Sequence, residues 1–319
     1  MGAISFPHIA QGGALHKRTP RALSIPREKK YLASMRCIDL HTHSTASDGT
    51  TSPAELVRLA AKTGLCAVAL TDHDTLDGLE EARRTGKECD LTVIGGCELS
   101  VADGARRLHI LGLFLPERPP GLEAKLAALR RARDVRNEII VEKLRALGVD
   151  ISLAEVEALA QGAVGRPHIA RALIAKGAAA NFREAFDKYL GARGRAYAPK
   201  DILPVDEAIA LLREEGATVS LAHPYLLQLS GVALAELVGR YAAMGLDAIE
   251  AYYTDHTPSQ TREYLALAKR FDLAVTGGSD YHGDVKPEAR LGVGRGKLCV
   301  PAGLLDDLSR RRAAAGLPA

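Results

Sequence analysis

The residues able to do chemistry in this chain are six histidines and a few carboxylates, each beside an apolar, β-branched run. The first group is Asp39-Leu-His41-Thr-His43-Ser-Thr-Ala-Ser-Asp48, led in by Cys37-Ile38, which reads as a strand. Side chains two apart on a strand share a face, so Asp39, His41 and His43 are expected to converge on one spot. Further groups follow: Thr71-Asp72-His73-Asp74-Thr75, Cys97-Glu98, His109, Ala222-His223-Pro224 and Gly277-Gly278-Ser279-Asp280-Tyr281-His282. Of ten histidines, two more (His8 and His16) lie near the start, leaving only His168 and His256 elsewhere. A single histidine on an apolar run is ordinarily structural. Six of them at strand ends point instead to a shared site.

Neutral imidazoles beside carboxylates suit divalent cations. Six histidines with Asp48, Asp280 and Glu98 supply donors for two or three such ions. No thiolate site is evident, which disfavours a structural zinc module. Paired ions clamp an oxygen, lower the pKa of bound water and neutralise a phosphoryl group in transfer. The chain has neither a GxxxxGK[ST] phosphate loop nor a GxSxG elbow. Hydrolysis by a metal-bound hydroxide is the chemistry these residues fit.

The elements that must carry them alternate regularly. Strands are expected at 37–40, 65–71, 91–95, 108–115, 217–222, 246–251 and 273–276. Helices are expected after Ser52 and at 77–88, 204–215, 232–244, 258–271 and 301–315. Ser52, Pro53 and Glu55 form a helix-start signature, Leu56, Leu59 and Ala60 an apolar stripe, and Gly64 a stop. Strands alternating with helices imply an α/β fold with a largely parallel sheet, and seven strands favour a small, irregular (β/α)7-type barrel. Strand carboxyl ends of a barrel open on one mouth, where the groups above would meet. The short connection 102–107 could form a hairpin returning His109 beside Glu98.

Residues 119–198 interrupt the alternation with amphipathic helices near 122–147, 152–160, 167–177 and 181–190, after Pro119-Pro120-Gly121. The domain reading is therefore a barrel from 35–118 and 199–319, carrying an inserted helical substrate-binding subdomain at 119–198. Arg133 and Arg136 lie three apart on one helix face, with Arg130 and Arg131 on the same turns. Two readings stand: a solvated basic helix, or a guanidinium fork for a second phosphate. His168, after Gly165-Arg166-Pro167, either meets a ribose or phosphate oxygen or is simply a helix-start residue.

Composition bounds the partners. Of 319 residues, 47% are hydrophobic and 25% charged, as in a globular protein. The net charge of +3 comes from residues 1–34, which hold six Lys or Arg against Glu28; the rest is mildly acidic. The body is thus no general polyanion binder. Residues 1–34 show no periodicity and are expected to be disordered. No apolar run is long enough to span a membrane, and the start lacks a secretory core. The five cysteines (37, 66, 89, 97 and 299) form no CxxC and read as buried thiols in a reducing cytoplasm. No obligate protein partner is evident.

The ordered motifs at His41, His43, Thr71-Asp72-His73-Asp74, Glu98, His109, His223, Asp280 and His282 resemble those of the PHP (polymerase and histidinol phosphatase) superfamily. The match runs from Arg36 to about Gly296 and spans nine ligand positions, so it is specific. The insertion, with Arg133, Arg136 and Gly165-Arg166-Pro167-His168, resembles the branch of nucleoside 3′,5′-bisphosphate phosphatases, some of which are also 5′-to-3′ exoribonucleases.

The resemblance implies three metal sites, often holding manganese, with zinc, iron or magnesium as alternatives. One would use His41, His43, Glu98 and Asp280; a second Glu98, His109 and His223; a third Asp48, His73 and His282. Asp72 is expected to orient a histidine and Asp74 to contact substrate, with Ser44 and Thr71 structural. The expected reaction removes the 3′-phosphate of a nucleoside 3′,5′-bisphosphate, with Arg133, Arg136 and His168 on the 5′-phosphate; short RNA is a further substrate. The alternatives are a histidinol-phosphate phosphatase and a non-catalytic nucleic-acid-binding protein with a relic metal pocket.

Overall fold

A computed structural model describes Gly2, residues 36–159 and residues 164–318. Apart from Gly2, the expectation of disorder for 1–34 lies outside the described residues.

From Arg36 the chain runs β1 (Cys37–Asp39), α1 (Pro53–Lys62), β2 (Ala67–Leu70), α2 (Leu79–Glu88), β3 (Thr92–Asp103) and β4 (Arg106–Leu113). The helical segment follows as α3 (Pro120–Ala146), α4 (Leu153–Glu157), α5 (Arg166–Ala175) and α6 (Phe182–Ala185), the last running into a π turn at Phe186–Leu190. The alternation then resumes with β5 (Leu203–Pro204), α7 (Val205–Glu214), β6 (Thr218–Leu221), α8 (Gly231–Met244), β7 (Ala248–Tyr253), α9 (Pro258–Arg270), β8 (Ala274–Gly278), β9 (Val300–Pro301) and α10 (Gly303–Ala314). The Ser52 signature does start α1: the Ser52 hydroxyl accepts from the Glu55 amide while the Glu55 carboxylate accepts from the Ser52 amide. Leu56, Val57 and Ala60 turn inward from that helix.

The strands form one sheet in the order β8-β7-β6-β4-β3-β2-β1-β9, with β5 beside β3. Backbone bonds beyond the strand ends nearly close it. Leu40 donates to Gly277 O at 3.0 Å, Asp280 to His41 O at 2.9 Å and His43 to Tyr281 O at 2.9 Å. Gly278 makes this seam possible, because a Cβ there would lie 2.4 Å from His41 Cβ and 2.5 Å from its amide nitrogen. The result is the α/β, nearly closed barrel expected from the alternation.

The sheet is less uniformly parallel than expected. β4 is antiparallel to both β3 and β6, because a hairpin at 103–106 turns the chain back. The two-residue strands β5 and β9 are too short to leave a periodic signal.

The hairpin tip is tied down. Asp103 accepts from Arg240 Nη1 at 3.0 Å and from the Tyr241 hydroxyl at 2.9 Å. The Arg240 bond, assisted by Tyr241 and opposed by burial, holds the Asp103 carboxyl down at about 2. A depressed carboxyl stabilises the fold above its unfolded value and loses that effect as pH falls through the folded one. Asp103→Asn is therefore expected to cost about 1 kcal/mol at pH 7. The gap to wild type should close between roughly pH 4 and pH 2; denaturant melts across pH would show it, and a pH-independent gap would refute it.

The cysteine expectation is corrected. Cys37 and Cys299 form a disulfide, with Cα atoms 5.4 Å apart. Antiparallel pairing of Cys37 with Pro301 and Ile38 with Val300 brings them together across 262 positions. Cys66 and Cys89 are only partly buried thiols, and Cys97 alone is a fully buried one.

The helical segment has its own apolar centre, which includes Ile140, Leu144, Val156, Ile169, Leu173 and Leu190. Leu122 and Leu126, at the start of α3, belong instead to the main core with Leu99, Ile110 and Leu212. One helix thus spans both cores and carries its arginines between them. Among the described residues, no helix is long and apolar enough to cross a membrane.

Candidate metal centre

The seam between β1 and β8 sets the first ligands. Extended backbone beyond Asp39 turns both His41 and His43 inward, with no exposed surface. Glu98 sits mid-way along β3, fully buried, and both its oxygens are used. Oε2 lies 3.1 Å from His41 Nε2, 3.1 Å from His43 Nε2 and 3.2 Å from His73 Nδ1. Oε1 lies 2.9 Å from His109 Nδ1 and 2.9 Å from His223 Nε2. Asp280 Oδ1 is 3.2 Å from His43 Nε2 and 3.6 Å from His41 Nε2. At the mouth, Asp48 Oδ1 is 3.4 Å from His282 Nε2 and 3.8 Å from His43 Nδ1.

These donors fall into three groups: His41, His43, Glu98 and Asp280; His43, Asp48, His73 and His282; and His73, Glu98 and His109. The first is the set implied by the resemblance. The others differ in sharing: His43 joins the Asp48 group, and His73 stands between that group and Glu98. His223 faces Glu98 and His109, the latter at 3.3 Å. His109 arrives by the hairpin, whose register sets it opposite Ser100 and diagonal to Glu98.

The cage fits a cation better than it fits itself. His41 Nε2, both ring nitrogens of His43, His73 Nδ1 and Glu98 Oε2 are buried without a hydrogen-bond partner. They approach closely yet are not aimed at one another, as atoms sharing a central ion would be. Burial would lower His41 and His43, but Glu98, Glu250 and Asp280 outweigh it at His41, raising it well above the usual value. At His43, Asp280 and Glu98 outweigh it, raising that ring to about 9. His73 goes the other way, to about 4, because burial and the neighbouring His43 and His109 exceed the pull of Glu98. Glu98 and Asp280 are held well below the carboxylate range by the histidines, against the effect of burial.

The backbone is strained where it aims these groups. His223, Asp280 and Asp74 all have left-handed φ angles, 25°, 53° and 51°. Such conformations cost on the order of 1 kcal/mol each in non-glycine residues and cluster at functional sites.

A second feature adjoins the cage. Asp74 follows His73; its Oδ1 accepts from the Ser100 amide at 2.9 Å, and its Oδ2 lies 3.7 Å from Arg133 Nη2. Asp74, Ser100, Arg133, Arg136, Lys200 and Asp201 line one small pocket. Arg136 is only 8% exposed, and its Nε has no partner. Burial, then Arg166 and Arg133, lower its pKa. Lys200 is lowered by loss of surrounding water and by Arg133, Arg136 and Arg166, with Asp74 opposing. Arg136 is thus a buried cation with an unpaired Nε among Arg133, Arg166 and Lys200, with Asp201 and Asp74 opposing the repulsion.

Several expectations are corrected. Asp39 does not join the cage: its carboxylate accepts the Ser279 amide at 2.9 Å and the Gly292 amide at 2.8 Å. Asp72 bonds no histidine. It accepts from the Ser44 amide and hydroxyl, both at 2.7 Å, and from the Ser47 hydroxyl at 2.6 Å, so it shapes the loop leading to Asp48. His168 does not line the cation pocket; its Nδ1 accepts from the Gly165 amide at 3.2 Å, capping α5.

Sequence reasoning missed Lys200 and, at the cage itself, Glu250, fully buried on β7. Its Oε1 accepts from His41 Nδ1 at 3.1 Å and its Oε2 from the His223 amide at 2.7 Å. A carboxylate behind a ligating imidazole fixes the tautomer and turns Nε2 toward the ion. The available signal was one acid inside the apolar run Ala248-Ile-Glu250-Ala-Tyr-Tyr253. Glu250→Gln is expected to weaken manganese binding by about 10- to 100-fold. Calorimetric titration of the metal-free protein measures this, and unchanged affinity would remove Glu250 from the role.

An imidazole–carboxylate cluster able to hold metal ions at the mouth of an α/β barrel, beside a pocket lined by Arg133, Arg136 and Lys200, is the site of a metal-dependent phosphoesterase. Residues 39–196 match the PHP domain model. The 5′-3′ exoribonuclease Rnm of Escherichia coli is 34% identical over 83% of this chain and 90% of its own length. The 3′,5′-nucleoside bisphosphate phosphatase of Chromobacterium violaceum is 30% identical over 78% of this chain and 88% of its own. A Bifidobacterium adolescentis crystal structure, assigned as a metal-dependent phosphoesterase, superposes with a TM-score of 0.70 at 32% identity, covering 86% of this chain and 96% of that one. This chain belongs to the PHP family.

Proposed function

We propose that this enzyme hydrolyses the 3′-phosphate of nucleoside 3′,5′-bisphosphates, giving a 5′-nucleotide and inorganic phosphate. It would cut the same P–O3′ bond at the first linkage of short 5′-phosphorylated RNA. The observation that carries this reading is Arg136, buried and lacking a partner at Nε in a cation pocket directly beside the cage. A monoester binder needs the cage alone; a second anion site argues for a substrate with two phosphates.

His41, His43, Glu98 and Asp280 would hold one ion, Glu98, His109 and His223 a second, and Asp48, His73 and His282 a third, with His43 and His73 near enough to be shared. Bound there, divalent ions would grip the scissile phosphate, activate water and offset developing charge. Manganese suits this mixed imidazole and carboxylate set, with zinc, iron and magnesium as competitors. Arg133 and Arg136, with Lys200 added to the residues expected from sequence, would clamp the 5′-phosphate and fix which ester meets the cage. Asp74 spaces Arg133 from the cage. His168 is left with its capping bond.

We keep the cytoplasm as the proposed setting, where a reducing pool would open the Cys37–Cys299 bond. The histidinol-phosphate alternative is not favoured: the relatives are named for nucleotide and RNA substrates. The non-catalytic alternative is not favoured: the relatives are named as enzymes, and the clustered donors could hold metal ions.

The test is phosphate release with manganese from adenosine 3′,5′-bisphosphate, adenosine 3′-monophosphate and histidinol phosphate. The bisphosphate should be preferred over the 3′-monophosphate by about 100-fold in kcat/KM, the worth of a buried charge-assisted clamp. Equal turnover of the two nucleotides would overturn the reading.

A further inference from the structure

A feature that the bisphosphate reaction leaves unused lies across the barrel mouth from the cation pocket. The closed strand order β1-β2-β3-β4-β6-β7-β8 sets β7 diametrically opposite the β2–β3 edge that carries Asp74 and Ser100. On that far side a series of rings leads outward from the cage. The His223 ring centroid lies 5.5 Å from that of Tyr253, and Tyr253 lies 5.5 Å from Tyr225. Tyr253 is buried and anchored by its hydroxyl, which donates to Asp280 Oδ2 at 2.7 Å. Tyr225 is partly exposed and is buttressed edge-on by His256 at 5.5 Å; its neighbour Leu226 is 54% exposed. The outermost ring is thus rigidly backed and reached by solvent.

We infer that the Tyr225 ring is a stacking platform for the base of the second nucleotide of a 5′-phosphorylated RNA. The inference rests on the proposed function, and it follows from the direction of the substrate. With the 5′-phosphate held at Arg133 and Arg136 and the 3′-phosphorus at the cage, whatever is esterified to that phosphorus continues away from the cation pocket. In a bisphosphate nothing is attached there. In RNA the next nucleoside is attached through its 5′-oxygen.

Water adds to phosphorus, the P–O3′ bond breaks, and the 3′-oxygen of the first nucleotide leaves carrying a proton. The phosphate stays on the second nucleotide as a new 5′-phosphate. That end is again the group the cation pocket binds, so a ring holding the second base would keep the shortened chain for the next cycle. Aromatic rings serve such a role without base selection, since every base offers a π face.

The experiment compares kcat/KM for the 5′-phosphorylated dinucleotide pApA with that for adenosine 3′,5′-bisphosphate, in wild type and in Tyr225→Ala, Tyr225→Leu and Tyr225→Phe. Both substrates are read on one preparation with manganese, so misfolding lowers both and leaves their ratio. The dinucleotide-to-bisphosphate ratio should fall about tenfold in Tyr225→Ala and Tyr225→Leu and stay at the wild-type value in Tyr225→Phe. Leu keeps apolar packing where Ala fails to fold. An unchanged ratio in both variants overturns the inference, as does a wild type that hydrolyses the bisphosphate but not pApA. A wild type inert toward the bisphosphate overturns the proposed function itself.

Discussion

Glu98→Gln is expected to lower phosphate release by about 10³-fold or more, equivalent to roughly 4 kcal/mol of barrier. The change preserves size and leaves the strand intact, so the loss would come from charge and coordination. Glu98 alone faces five histidines with its two oxygens, and it belongs to two of the three donor groups. An amide offers one acceptor oxygen, and its nitrogen repels a cation. Metal analysis of the purified variant should show at least one ion lost relative to wild type. Wild-type metal content with wild-type activity would disprove the bridging role.

The second large effect concerns Arg136, and it carries two opposite signs. Arg136→Met should reduce the preference for adenosine 3′,5′-bisphosphate over adenosine 3′-monophosphate by about 100-fold. It should also raise the melting temperature of the substrate-free protein. Arg136 is buried among Arg133, Arg166 and Lys200 and lacks a partner at Nε, so an apolar chain of similar length relieves repulsion and desolvation there. A structural arginine would lose stability on replacement. A fall in melting temperature with unchanged selectivity would therefore reassign it.

Much of this was legible because local and global signals agree. The Ser52 box starts α1 as its sequence demands, and histidines at the ends of apolar runs do gather at one mouth. What stayed hidden depends on register and distance. The Cys37–Cys299 pairing depends on a two-residue strand far along the chain. Asp39 and Asp72 carry the residue type of a ligand, yet backbone amides and serine hydroxyls claim them, and spacing cannot distinguish those uses. Glu250 could not be assigned from pattern, because a lone acid inside an apolar strand has no period. Arg133 and Arg136 were visible as a pair, but Lys200 joins them only through folding of the helical segment.

The seam at Gly278 also orders events during synthesis. His41 and His43 leave the ribosome well before Asp280 and His282, which complete two of the donor groups and emerge only after β8. A nascent chain halted before β8 cannot assemble either group, however long it waits beside free cations. Loading of those two groups would therefore wait for β8 and clasp it to β1.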